Sequence, residues 1–164
     1  YVFPYYITEN NNGDVLVSDR FLHVVVVTSG EGVHRFSCTG PPSNSRIMPR
    51  GICTDVMSHI LVNDGWNSTV QMLDKDGQFL SYVLTRQTLG PSGLSYDNTT
   101  QAVWVGSVNN NTMYGCRYIY WHFHLIGKFQ CILLVRCNKW KHDYLFSNMI
   151  YYRVYIQNSK RLAT

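Results

Sequence analysis

A chain of 164 residues with 45% apolar and 15% charged residues is long enough for one domain with a real core, or for part of a larger one. Tyrosine is abundant while Glu, Lys and Ala are scarce, which favours strands over helices. No apolar run approaches the roughly 20 residues of a helical bilayer span, since the candidate around residues 125–135 is broken by Lys128 and Gln130; no membrane association is expected.

The first residue is Tyr1 with no charged leader before an apolar stretch, so the chain is expected to begin inside a longer protein. Five cysteines without a repeated spacing make a poor disulfide framework, and a reducing, cytoplasmic setting is expected. Against it stand acceptor triplets at Asn67, Asn98 and Asn110, each also at an expected turn. The formal charge of +4 hides a split: residues 1–118 hold seven Lys+Arg against nine Asp+Glu, and residues 119–164 hold seven against one.

In chain order, three segments repeat. They open at Pro4, Pro49 and Pro91, with spacings of 45 and 42 residues, the length of a four-stranded propeller blade. Each proline leads into a short strand: Tyr6-Ile7, Gly51-Ile52-Cys53 or Gly93-Leu94-Ser95. A polar turn follows, then a tight apolar run: Val15-Leu16-Val17, Ile60-Leu61-Val62 or Val103-Trp104-Val105. Such runs suit strands buried on both faces.

Asp19, Asp64 and Ser107 close these runs, where a short oxygen-bearing side chain can cap the following turn. A third strand is expected at residues 24–27, 70–73 and, more weakly, 113–116. Asp76-Gly77 then reads as a hairpin turn before an outer strand at 79–84, and Gly32 stands 45 residues before Gly77. Asp74-Lys75-Asp76-Gly77 also opens like a calcium loop, but the later ligands are missing and a turn is the better reading.

The pattern from Pro49 to Phe79, P-x-G-I…I-L-V-x-D…V-x-M-L-D-x-D-G-x-F, resembles an NHL repeat, above all in the carboxy-terminal propellers of tripartite-motif (TRIM) NHL proteins. The resemblance covers about residues 4–118, as repeats 4–48, 49–90 and 91–118; Ser107 in place of Asp and the missing Gly after Pro4 depart from it. It implies an all-β, partial, about three-repeat NHL-type β-propeller. It further implies a partner-binding or substrate-binding module of an E3 ubiquitin-protein ligase whose zinc-binding RING and B-box parts, and whose remaining blades, are not in this sequence. The chain itself is then expected to be non-catalytic and without cofactor.

Residues 119–164 break the pattern. This stretch has one Gly, no Pro, one acid and many aromatics. It reads as a divergent, basic, aromatic tail: non-native coding sequence, edge-covering strands, or a binding arm. His122, His124, Cys131, Cys137 and His142 match no ordinary zinc spacing, and their alternation is what a strand produces.

Partner-binding residues are expected in the loops after each second strand: Arg20, Phe21 and His23; Trp66 and Asn67; Asn109 and Asn110. Arg50, beside Pro49, joins them. Exposed Trp beside Arg and Asn suits a protein hot spot. The same residue types stack on RNA bases, but the acidic excess of residues 1–118 disfavours phosphate binding. A protein partner is therefore the first expectation and RNA the alternative.

Overall fold

Side chains in a run such as Ile60-Leu61-Val62 point alternately to both faces of a sheet, so the sheet must be covered on both sides. In the computed structural model, sheets stacked face to face supply that cover. The structure describes residues 1–41, 46–85, 90–108, 112–125, 128–141, 144–146 and 155–159, with side chains as far as Tyr118.

The first blade is an antiparallel meander of β1 (Pro4–Glu9), β2 (Val15–Asp19), β3 (Val24–Thr28) and β4 (His34–Cys38). The second repeats it with β5 (Pro49–Thr54), β6 (Ile60–Asp64), β7 (Thr69–Leu73) and β8 (Phe79–Thr85). The third holds β9 (Pro91–Asp97), β10 (Ala102–Ser107) and β11 (Thr112–Leu125), followed by β12 (Lys128–Lys141). Strands β13 (Tyr144–Phe146) and β14 (Tyr155–Ser159) both pair with β12. The chain is an all-β, partial propeller, as its repeats imply; among the described residues there is no helix, hence none long and apolar enough to cross a membrane.

The repeats agree in register. Each leading proline pairs with the residue closing the second strand, as Pro4 with Asp19, Pro49 with Asp64 and Pro91 with Ser107. A bulge follows each time, and a residue without an N–H is tolerated at such a strand start. The third-to-fourth-strand turns also repeat: Gly32 and Gly77 both have φ of +83°, a value that glycine adopts without strain. The carboxylate of Asp74 accepts from the amides of Asp76 and Gln78, at 2.9 and 2.8 Å, which makes this segment a capped turn.

The core lies between blades. Ile52, Ile60, Val62 and Leu73 of blade two pack on Leu16, Val25, Val27 and Cys38 of blade one. From the other face, Cys53, Leu61, Val70 and Met72 pack on Val103, Val105, Tyr114 and Cys116 of blade three. Val103 and Val105 are fully buried, but Trp104 between them is only partly so, since among the described residues no further blade covers its side of blade three.

Strand β11 runs through residue 118, where the repeat pattern ends, and β12 takes the fourth-strand place of blade three. Cys116 is disulfide-bonded, and its register partner on β12 is Cys137. Cys38 and Cys53 are free and buried; burial pushes the Cys38 thiol up to about 12, with the Asp74 charge adding to the effect.

Blades one after another must approach closely at the inner strands. A Cβ on Gly51 would collide with the Ser92 carbonyl oxygen and lie 2.8 Å from the Leu94 nitrogen, both backbone atoms of blade three. Gly51→Ala is therefore expected to cost at least about 2 kcal/mol, as overpacking against backbone does. Urea unfolding of the full chain checks this; an unchanged midpoint would show that the blades separate without penalty.

Candidate binding rim

Strands β2 and β3 are joined by a loop that starts at a buried carboxylate. Asp19 Oδ1 accepts from the amides of Phe21 and Leu22, at 3.1 and 3.0 Å, while Oδ2 accepts from those of Val2 and Phe3, at 2.6 and 3.1 Å. One side chain thus ties the loop to the segment entering the blade. Blade two repeats the device. Asp64 Oδ1 accepts from the amides of Met48, Trp66 and Asn67, and Oδ2 from the side chains of Asn67 at 2.6 Å and Gln71 at 3.2 Å.

A backbone bond recurs beside it: Arg20 donates to the Phe3 carbonyl, Gly65 to Met48, and Val108 to Gly90. Ser107 holds the matching register position in blade three. His23 and Ser68, equivalent loop ends, both have positive φ, at 59° and 51°.

These ties build one rim. An open cleft of about 600 Å³ is lined by Phe3, Arg20, Phe21, His23, Arg46 and Met48. Phe21 is 71% exposed and Trp66 54%. The Trp66 and His23 rings lie 4.7 Å apart between centroids, and His23 Nδ1 is 3.0 Å from the Ile47 carbonyl oxygen. The Arg20 guanidinium sits 5.7 Å from the Tyr5 ring centroid, a cation–π distance.

Of the residues expected at a partner surface, Arg20, Phe21, His23 and Trp66 therefore come together. Asn67 lies beside Trp66 but spends its amide on Asp64. Arg50 lies against Gly65, with Nε buried and without a hydrogen-bond partner among the described residues. Asn109 and Asn110 lie outside the described residues. Phe3, Arg46 and Met48 escaped sequence reading because they precede the prolines; bonds to Asp19 and Asp64 and the recurring backbone bonds bring Phe3 and Met48 to the loops.

A second polar cluster lies at the opposite strand ends. Asp55 Oδ2 is 2.8 Å from His59 Nδ1 and accepts from the Tyr118 hydroxyl at 2.7 Å. Burial raises the Asp55 carboxyl, but these bonds outweigh it and hold the group below its usual range. Among the described residues, no three His, Cys, Asp or Glu side chains gather to hold a metal ion. The side chains of His122, His124, Cys131, Cys137 and His142 lie outside the described set.

No protein-family model matches the chain, and no curated protein does either. Solved structures do. The chain is similar to the virginiamycin B lyase of Staphylococcus aureus at 15% identity, with a TM-score of 0.61, over 86% of this chain and 56% of that one. A streptogramin B lyase matches at 13% identity and TM-score 0.59, over 84% and 54%. A protein from Lactobacillus plantarum matches at 11% and 0.55, over 94% and 57%. The chain spans a little over half the length of each.

At these identities the likeness shows the fold, a β-propeller, and does not extend to the tripartite-motif NHL family. It also corrects one expectation. The chain was expected to be non-catalytic because the resemblance places ligase chemistry in parts outside this sequence; the lyases show that sheets stacked in this way do carry enzymes. A fold does not fix a function, which lives in the site.

The carboxylates set an acid limit. Burial raises Asp19, but four backbone amides outweigh it and hold the group below its ordinary value of 3.8. Asp14 is lowered chiefly by its bond to Arg35. A group depressed in the folded state gives stability that is complete above the unfolded value and lost as pH falls through the folded one. The melting temperature is thus expected to be level from pH 7 to 5 and to drop below about pH 4, less so in an Asp19→Asn variant. A flat profile to pH 2 would remove the carboxylates from the account.

Proposed function

We propose that the cleft formed by the loop after β2 and the segments before β1 and β5, with Trp66 of the loop after β6 packed against its His23, is a protein-recognition surface, and that its partner presents an extended segment with aromatic or acidic residues. The observation that carries this reading is the exposure of Phe21 and Trp66 beside Arg20 and Arg46, on loops fixed by Asp19 and Asp64. Aromatic and arginine anchors on a rigid frame lose little entropy on binding, which is how hot spots arise. In a parent protein of the tripartite-motif type, which the NHL-like pattern of residues 49–79 supports, the segment would belong to a ubiquitination substrate.

RNA is the second reading, favoured by two arginines on a cleft with no carboxylate in its lining, the loop carboxylates Asp19 and Asp64 being buried and facing amides. Salt separates the two. Binding of peptides selected from a displayed library on the immobilised chain should change less than about threefold between 50 and 200 mM salt. Contacts to several phosphates would weaken a single-stranded RNA by orders of magnitude over that range. Phe21→Ala and Trp66→Ala should each cost about tenfold or more in peptide affinity. A library that yields no binder sensitive to either change would overturn the proposal.

A further inference from the structure

One place recurs on the rim of the first two blades, between the residue after the leading proline and the residue after the capping aspartate. In blade one it is held by Tyr5 and Arg20, and in blade two by Arg50 and Gly65, positions matched by the backbone bonds of Arg20 to Phe3 and Gly65 to Met48. An arginine fills it each time, from the loop in one blade and from the strand in the next. Their surroundings differ. The Arg20 guanidinium lies over the Tyr5 ring. Arg50 lies against Gly65, where an added Cβ would come within 2.6 Å of Nε and 2.7 Å of Met48 Cε. The missing side chain at 65 thus makes the room that Arg50 occupies, next to the Met48 that lines the cleft. There Arg50 is half-buried, its Nε is shut off from water without gaining an acceptor, and no carboxylate pairs with it among the described residues. Arg46, exposed on the same cleft, brings a third cation.

We propose that these arginines receive a phosphorylated side chain of the partner segment, with Arg46 and Arg50 on the phosphate and Phe21 and Trp66 against the residues beside it. The inference rests on the rim being a protein-recognition surface and names the group that it selects. A partly desolvated guanidinium attracts an anion more strongly than a fully hydrated one. A carboxylate is satisfied by a single arginine fork. A phosphate monoester carries a charge of about −2 and three acceptor oxygens, so it can engage two arginines at once. The loop carboxylates do not compete for these cations, because Asp19 and Asp64 are buried and spent on amides and side-chain donors.

Retention of peptide pools on the immobilised full chain, at one salt concentration, tests this. Each pool is degenerate around a fixed central residue: phosphoserine, phosphothreonine or phosphotyrosine, the unphosphorylated residue, or Glu. Phosphorylated pools should be retained about tenfold or more above the others. Arg46→Ala and Arg50→Ala should each remove that preference, and Arg50→Lys should restore only part of it, because lysine lacks the planar fork. Arg46 is exposed, so its loss cannot be read as unfolding. Phe21→Ala should lower all pools together. Arg117→Ala, an exposed arginine at the opposite strand ends, should change nothing. Equal retention of phosphorylated and Glu pools, or a preference that survives Arg50→Ala, would overturn the proposal, while a loss in Phe21→Ala would still uphold the recognition surface. A phosphate preference that needs Arg50 but is indifferent to Phe21 and Trp66 would keep the phosphate site and remove the recognition reading. Retention of no pool, or displacement of every pool by a single-stranded RNA that needs the same arginines, would overturn both.

Discussion

A four-stranded blade that is apolar on both faces has no interior of its own, and every other feature of this chain depends on that. Its interior is the contact with the next blade. Blade two satisfies both faces, Ile52, Ile60 and Val62 toward blade one and Leu61, Val70 and Met72 toward blade three. Stability in such an array is a sum of blade terms and interface terms, and the interfaces dominate. The middle blade is therefore the anchor of the chain, and the outer blades hold only as firmly as their single described interfaces allow.

The second constraint is local and concerns polar groups. Where an inner strand enters a blade next to the loop leaving the second strand, several backbone amides converge with no carbonyl to meet them. A buried carboxylate resolves this, since it accepts from both segments at once: four amides at Asp19, and three amides with two side-chain donors at Asp64. Leaving such donors unpaired would cost on the order of 1–3 kcal/mol each. The same bonds hold Phe21 and Trp66 at the surface. Rim geometry is thus a by-product of backbone satisfaction.

Much of this was legible because it is periodic. Pro4, Pro49 and Pro91, the apolar triplets, and Asp19 and Asp64 recur at blade spacing, and each has a backbone reason to recur. Three things were not legible. The cleft takes Phe3, Arg46 and Met48 from segments before the prolines, where the pattern says nothing about side chains. The Asp55–His59–Tyr118 cluster joins blades across 63 residues, a distance that only blade stacking shortens. Strand β11 passes residue 118 and pairs along its whole length with β12, although the composition changes there. Strand pairing needs only backbone groups, so a departure from the repeat motif does not stop it.

Charge shows why a count over the sequence misleads about the rim. Residues 1–118 hold more acids than bases, which argued against an anionic partner. Yet Asp14, Asp19, Asp55 and Asp64 are all buried. Asp14 is met by Arg35, Asp55 by His59 and Tyr118, and Asp19 and Asp64 by converging N–H dipoles. A carboxylate whose field ends on neighbouring donors contributes little to the potential over the surface. The groups that face solvent at the cleft include Arg20 and Arg46 beside aromatic rings, so its local field is positive while the body as a whole is acidic. The sign of a surface is set by which charges remain outside, and at this cleft those include the two arginines.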